Sequence, residues 1–507
     1  MLPPSSLPSG FELKRLVMRG ICDEPALTKY WARMRGLVRF RAIVPEIVFQ
    51  RVYECLDERF DPVFDVIKLA TPNSAHQAIA ALGRRFGASI LTTNFDLLLE
   101  DAGATDVTHL HGGVHNKAQM VYRINRVALG LHQDVAKTVS RAVKDRVLCV
   151  LGYSGLDKDV IDAVNAARPA RVWWLARNRS DIGAQNAKKL RCTRVTLATG
   201  ELSDVVASIV ARFSLTNSPY GALNRQDRDA RRRIVTGWKA KLSRAERYAA
   251  ASAVLFELGE YRAAADVALA GGKLRRQSRV SRSWFQRQAS NALKIHGEFD
   301  EALGAAERAA KQHNATPYEL AAAWNSIGLV HLEKDDFDVV LATQAFQRSI
   351  QQLRHAKTSR LPVHKREQVA LQTGRVFNNL GLALTYSAKT KAALNAFMTS
   401  LRVKRDIGDL IGVAHTSSNV SILHYRAGDY RSARRWRLRA MALLTRYDLQ
   451  FERAYLLRQT GALSCQRGRR RNGLRLLEEA LALYRSIPSA KFGAKLTRRI
   501  IRQYRGS

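Results

Sequence analysis

A chain of 507 residues exceeds what one hydrophobic core sustains, so two or more domains are expected. With 46% hydrophobic and 25% charged residues, the composition excludes a mainly disordered protein. Lys and Arg number 83 against 44 acids, a net charge of +39 that attracts polyanions such as nucleic acid, acidic protein or anionic membrane surface. The plainer alternative is solvated charge on an Arg-rich chain, with no dedicated ligand. The excess is uneven: residues 1–215 carry 30 basic and 21 acidic side chains, residues 216–507 carry 53 and 23. The five cysteines, Cys22, Cys55, Cys149, Cys192 and Cys465, are scattered and never form a CxxC pair. Neither a disulfide framework nor a metal ribbon is supported. The start, MLPPSSLPSGFELKRL, lacks an apolar segment of signal-peptide length, and no run approaches the ~20 apolar residues of a spanning helix. A cytoplasmic, non-membrane protein is expected.

Residues 1–215 alternate short β-type runs with helical stretches. The strand candidates are ASILTTN (88–94), RVLCVLGYS (146–154), RVWWLA (171–176) and TRVTLA (193–198). NSAHQAIAALGRRF and DVAKTVSRAVKD read as helices between them. Apolar strands with crossover helices imply an α/β domain with a parallel, Rossmann-like sheet covered on both faces. Ligands in such sheets sit at the carboxyl ends of the strands. Polar residues gather there: Thr92-Thr93-Asn94-Phe95-Asp96, then Thr108-His109-Leu110-His111-Gly112-Gly113, then Gly152-Tyr153-Ser154-Gly155 with Asp157 beyond. Taken singly, an Asn after a strand is usually a turn residue, and a His beside glycines usually a hydrogen-bonded loop residue. His109 and His115 are read in that way.

Together these motifs resemble the sirtuin fold, in the zinc-free branch fused to repeat domains in bacterial defence proteins. TTNFD is similar to the segment whose Asn and Asp hold the nicotinamide ribose, LHG to the one bearing the active-site histidine, and GYSG to the later Gly-x-Ser element lining the cofactor. LARN is similar, through Asn178, to a segment with an adenosine-contacting Asn. In PNSAH, common in this branch, His76 is read as structural. The resemblance implies NAD as substrate, with no metal, and cleavage of its nicotinamide–ribose bond with water as acceptor. It assigns catalysis to Asn94 and His111, and cofactor contacts to Thr93, Asn94, Asp96, Gly152, Ser154 and Asn178. Asn94 would hold the ribose or the attacking water, His111 would act as base, and Asp96 would orient the carboxamide. The four-cysteine module of protein-deacylating sirtuins is absent, which makes deacylation the weaker reading. LPSGFEL (7–13) resembles the stretch just after the family's Gly-Ala-Gly-x-Ser loop, so this sirtuin-like domain is expected to be N-terminally incomplete, without its first strand and Gly-rich loop.

A basic linker is expected over 216–244, then about six repeats over 245–490 and a basic tail over 491–507. The repeats are pairs of amphipathic helices. In FNNLGLALTYSAKTKAALNAFMTSL, the spacing of Phe377, Leu380, Gly381 and Leu384 with Ala393, Phe397 and Ser400 is similar to a tetratricopeptide repeat. The small position recurs at Ala264, Ala302, Val340, Ala393, Ala433 and Gly473. Turns are expected at Gly259, Gly297, Asp335-Asp336, Gly428-Asp429 and Gly468. HAKTSRLPVHKRE is an extended loop or a lengthened helix. Such an all-α solenoid offers a groove to a protein or peptide trigger, with self-association into a homo-oligomer as the alternative. Arg434, Arg435, Arg437 and Arg439 around Trp436 could clamp phosphates, or form a solvated face. The sequence supports two readings. One is an NAD-consuming effector controlled by a repeat sensor in anti-phage, abortive-infection defence. The other is a non-catalytic scaffold, or a protein- or nucleic-acid-binding repeat protein, with a degenerate sirtuin-like domain.

Overall fold

The computed structural model describes residues 9–505 apart from 124–125, 128–129, 156, 181, 193, 214–224, 275–279, 335, 357–360, 362, 447–449 and 487–490. The chain divides into two compact units. One comprises the residues up to Ile21 with Val44–Leu242; the other comprises Cys22–Ile43 with Ser243 onward.

In the first unit, α1 (Gly10–Ile21) is followed, after Val44, by α4 (Pro45–Leu56), a 3-10 segment (Asp57–Leu69) and α5 (Ser74–Phe86). The intervening stretch carries α2 (Thr28–Gly36) and α3 (Val38–Ala42), which belong to the second unit. Then come β1 (Ile90–Thr92), α6 (Leu98–Asp101), β2 (Val107–His109), α7 (Gln133–Val143), β3 (Val147–Val150), α8 (Lys158–Ala167), β4 (Arg171–Ala176), α9 (Ile182–Ala187), β5 (Val195–Thr199), α10 (Leu202–Phe213) and α11 (Arg225–Ala240). All strand pairs are parallel, but they form two sheets, β1-β2 and β3-β4-β5. One core serves both: Leu91 and Leu110 join Leu148, Val150, Val172 and Trp174. Among the described residues one face of β3 and β4 is partly open, where the sequence led to the expectation of two covered faces. Val147 is 60% and Trp173 43% exposed, while Val172 and Trp174, which flank Trp173 in β4, are buried. Continuous apolar runs therefore did not distinguish a fully covered sheet from a partly open one.

Residues 225–240, expected within a linker, are α11. Its Trp238 is buried and donates Nε1–H to the carbonyl of Arg59 at 2.8 Å. Arginine density hid the apolar stripe. Residues 216–224 of the expected linker lie outside the described residues.

The second unit stacks helical hairpins: α12 (Arg244–Glu257) with α13 (Tyr261–Gly272), α14 (Arg282–His296) with α15 (Phe299–Ala310), and α16 (Pro317–Glu333) with α17 (Val339–His355). Next are α18 (Val363–Tyr386) with α19 (Thr390–Asp406), α20 (Leu410–Arg426) with α21 (Tyr430–Arg446), and α22 (Gln450–Gln466) with α23 (Arg470–Ser486). A final helix, α24 (Lys491–Arg505), covers residues expected to be a tail; Ala494 and Ile501 are buried beside Tyr484. Capping boxes start α12 (Ser243 with Glu246) and α16 (Thr316 with Glu319). Gly259, Gly297, Gly428 and Gly468 take the left-handed conformation at the hairpin turns, but between α18 and α19 that role falls to Ala388, at φ 56°. Asp335 lies outside the described residues. Of HAKTSRLPVHKRE, residues 363–367 open the 24-residue α18, while 357–360 and 362 lie outside the described residues.

The small position in the third hairpin is Ala342, not Val340. Val340 is 66% exposed, whereas Ala342 is fully buried and stands at the same place in its helix as Ala302 and Ala393. Alternation of Val, Leu and Ala at this helix start concealed the register. Four residues on, a bulky side chain fills a glycine notch in the preceding helix: Phe346 against Gly328, Phe397 against Gly381. A Cβ on Gly381 would stand 2.7 Å from the Phe397 ring.

A thread of side-chain amides also runs between hairpins. Ser326 donates to Asn291 (3.0 Å), Asn379 to Asn325 (2.9 Å), Asn378 to Asn379 (3.1 Å) and Asn419 to Asn378 (3.0 Å).

Candidate functional site

β1 and β2 pair in register, Thr92 opposite His109, so Asn94 and His111 each stand two residues beyond adjacent strand ends. Hydrogen bonds join the two loops. The Leu110 N–H donates to the Thr92 carbonyl (2.8 Å) and the Val114 N–H to the Phe95 carbonyl (2.7 Å). His109 Nδ1–H donates to the Asn94 carbonyl at 2.8 Å, and its Nε2 lies 2.7 Å from Glu100 Oε1. The Asn94 N–H donates to Thr92 Oγ1 at 3.1 Å, and its side chain is exposed. Thr93 beside it is half-buried. After His111 the chain turns sharply: Gly112 has φ 75°, and a Cβ there would meet the Gln119 carbonyl oxygen at 2.5 Å.

His111 is 5% exposed, and its Nε2 lies 3.0 Å from Oδ2 of Asp159, itself 6% exposed. Asp159 stands in the first turn of α8. The β2 loop and the GYSGLDKD segment after β3 are therefore linked through buried side chains. Burial alone would lower the His111 pKa, but the hydrogen bond and charge of Asp159, with Asp157 and Glu46 behind it, raise it. Burial raises Glu46 and Asp157, in each case against the opposing pull of His111. Lys14, buried on α1, is pushed down to about 8 by desolvation, with Glu46 acting the other way. Lys14, Glu46, Asp157 and Asp159 were not assigned from the sequence. The one available signal was two acids opening a helix directly after a glycine-rich strand end.

Asp96 is buried, its pKa raised by desolvation, and its Oδ1 accepts the Leu98 N–H at 3.2 Å. His76 belongs to the cap of α5, where its Nδ1 accepts the Asn73 N–H at 3.2 Å. Gly152 and Gly155 have positive φ; the Ser154 carbonyl accepts Asn186 Nδ2–H at 2.8 Å. Asn178 stands apart: its Oδ1 accepts both the N–H (2.9 Å) and the hydroxyl (2.6 Å) of Ser180. It closes a local turn after β4. Among the described residues, no group of three or more His, Cys, Asp or Glu could hold a metal ion, and no helix is long and apolar enough to cross a membrane.

Fold and site thus define a parallel α/β unit with polar loops beyond its strand ends, joined to an array of helical hairpins. Comparison with known proteins gives partial similarity to NAD-dependent protein deacylases. The chain is 56% identical over 45 residues to "NAD-dependent protein deacylase 1" of Pseudomonas aeruginosa, covering 9% of this chain and 18% of that protein. It is 34% identical over 104 residues to an NAD-dependent protein deacylase of Helicobacter pylori strain 26695, covering 19% and 42%. With that of strain J99 it is 38% identical over 63 residues, covering 12% and 25%. The chain therefore spans less than half the length of these curated relatives. No family model matches. Among solved structures, similarity is found to the Cut9-Hcn1 hetero-tetramer (12% identity, 74% of this chain and 62% of that one, TM-score 0.37). The Rap conjugation gene regulator of plasmid pLS20 in complex with the Phr* peptide gives 13% identity, 64% and 88% coverage, and a TM-score of 0.35.

Proposed function

We propose that the first unit binds NAD and hydrolyses its nicotinamide–ribose bond, under control of the repeat unit, in a bacterial anti-phage response. The observation that carries this reading is the buried His111–Asp159 pair at the end of β2, hydrogen-bonded backbone to backbone with the loop of Asn94. The partial likeness to NAD-dependent enzymes supports the choice of substrate.

Cleavage of an N-glycosidic bond passes through an oxocarbenium-like state, which needs a held sugar, an acceptor water and a base more than a strong nucleophile. Asp159 accepts from His111 Nε2–H and fixes that tautomer, which leaves Nδ1 as the basic nitrogen. The exposed amide of Asn94 is free to orient the ribose or the water. Asp96, buried two residues beyond Asn94 with its pKa raised by desolvation, is proposed to orient the carboxamide. Thr93, just after β1, and Gly152 and Ser154, just after β3, are proposed as further cofactor contacts. Asn178 is the weakest of the proposed contacts because Ser180 already occupies its oxygen. The repeat groove would receive a protein or peptide trigger.

The test is release of nicotinamide from NAD by the purified protein. Asn94→Ala or His111→Ala should lower the rate by about 10²–10⁴. Activity that survives both substitutions rules out this site.

A second reading, non-catalytic binding of a polyanion, is favoured by the net charge of +39. Arg434, Arg435 and Arg439 are exposed on α21, with Arg439 stacked over Trp436 at 5.2 Å. RNA or DNA affinity that falls steeply with salt, combined with no nicotinamide release, would decide for it.

A further inference from the structure

Each hairpin of a solenoid ordinarily packs only against its neighbours. One segment of the second unit departs from that rule. Cys22–Ile43 comes from far upstream, yet it groups with the repeats. Its Leu27, Met34 and Phe40 are buried, with Trp31 set edge-on against Phe40 at 5.8 Å. Arg33 forms an ion pair with Glu260, at the turn of the first hairpin. Glu24 pairs with Arg244 at 2.7 Å and lies 4.0 Å from Arg247, both on α12. The charge of Arg39 acts on Tyr261 of the first hairpin and also on Glu452 of the sixth, and Glu257 acts on the same two groups. An acidic patch of Glu257, Glu260 and Glu452 thus stands out within a strongly basic half of the chain. A basic, aromatic helix pair faces it.

The two ends of this segment run directly into the first unit. Upstream it continues α1, which carries Lys14; downstream it leads into α4, which carries Glu46. Glu46 acts on the charge of His111, and Lys14 on that of Glu46. A displaced segment would therefore pull on both helices that set the charge around His111.

We propose that Cys22–Ile43 is a resident ligand of the repeat unit, held by the acidic patch, and that the controlling partner is a basic, aromatic helical segment that takes its place. Charge complementarity identifies the partner's chemistry: the patch selects arginines, and the buried apolar side chains select an amphipathic helix rather than an extended polyanion. Release of the segment then reaches the N-terminal site through α1 and α4. This regulation rests on the NAD-site reading for its consequence, but not for its detection.

The experiment is hydrogen exchange on the full chain, read by mass spectrometry. Arg33→Ala/Arg39→Ala should speed exchange over 28–42 by at least about tenfold and also loosen 10–21 and 45–56. The conservative Arg33→Lys/Arg39→Lys variant should stay within about twofold of the parent, which separates lost charge from misfolding. A synthetic peptide of residues 22–43, added in excess to the parent protein, should reproduce the pattern of the double Ala variant. Unchanged protection over 28–42 in the double Ala variant, loosening confined to 28–42, or a peptide without effect would each overturn the proposal. Nicotinamide release is measured on the same samples. Its absence from all of them would refute the NAD reading and leave the exchange result standing.

Discussion

Gly381→Ala sets two effects of opposite sign against each other. In a solvated helix, replacing Gly by Ala stabilises by about 1 kcal/mol through backbone entropy. At position 381 the new methyl would lie 2.7 Å from two ring carbons of Phe397 and 3.0 Å from a third, well inside ordinary contact distance. Phe397 is fully buried and cannot swing away, so the ring or the hairpin must shift. Overpacking of this kind costs about 1–3 kcal/mol, so the net expectation is a loss of roughly 1 kcal/mol. Gly237 on α11 is the control: nothing lies within 4 Å of its notional Cβ, and Gly237→Ala should gain up to about 1 kcal/mol. Urea titration followed by circular dichroism, with hydrogen exchange resolved to α18 and α19, measures both. Pairing Gly381→Ala with Phe397→Leu should recover part of the loss, a coupling of about 1 kcal/mol between touching residues. If Gly381→Ala stabilises as much as Gly237→Ala does, Phe397 does not set the spacing of this hairpin.

The other expectations are independent of that packing. Asp159→Asn removes the charge that raises His111, so the alkaline-going rise in nicotinamide release, which tracks loss of the His111 proton, should move to lower pH; an unmoved profile would exclude Asp159 as the partner of the base. Lys404 is buried, donates Nζ–H to Thr416 Oγ1 at 2.9 Å and to the Gly412 carbonyl at 3.2 Å, and has its pKa lowered by burial from 10.5 to about 8. A depressed lysine penalises the folded state fully below pH 8 and progressively less as pH rises towards 10.5. The urea midpoint of the parent should therefore rise relative to Lys404→Met over that interval, and parallel pH dependences would count against the burial cost. Ala388→Gly relieves a left-handed non-glycine residue and should raise stability by about 0.5–1 kcal/mol, read in the same titration.

The hairpins were legible because their stabilising pattern is local. A glycine at 381, a small residue at 393 and a phenylalanine at 397 specify one packing solution, and glycines mark most of the turns. The third hairpin was misregistered by two residues because Val340 and Ala342 both suit a helix, and only tertiary contact separates an exposed position from a buried one. The strands β1, β3, β4 and β5 were legible as apolar runs, but β2, three residues leading into a polar loop, was not, nor were the exposed faces of Val147 and Trp173, since pattern alone does not count the layers above a sheet. In the site, Asn94 and His111 announced themselves through their motifs. Asp159 did not, because its meaning comes from a partner 48 positions earlier. Glu46 and Lys14 were silent for the same reason: each is an ordinary surface-type residue until the fold surrounds it. Helices α11 and α24 were concealed by their own arginines, whose charge outweighed the narrow buried stripe.

The amide thread from Asn291 to Asn419 gives the stack something that apolar packing lacks, a sense of phase. Oily surfaces tolerate a slide or a twist of one helix past the next with gradual loss. Rungs about 3 Å long do not, because a small rotation leaves a donor facing nothing. A single replacement such as Asn379→Leu would thus cut the rung to Asn325 in the preceding hairpin and take away the oxygen that holds Asn378, which carries the rung to Asn419, so that the segments on either side could wind independently.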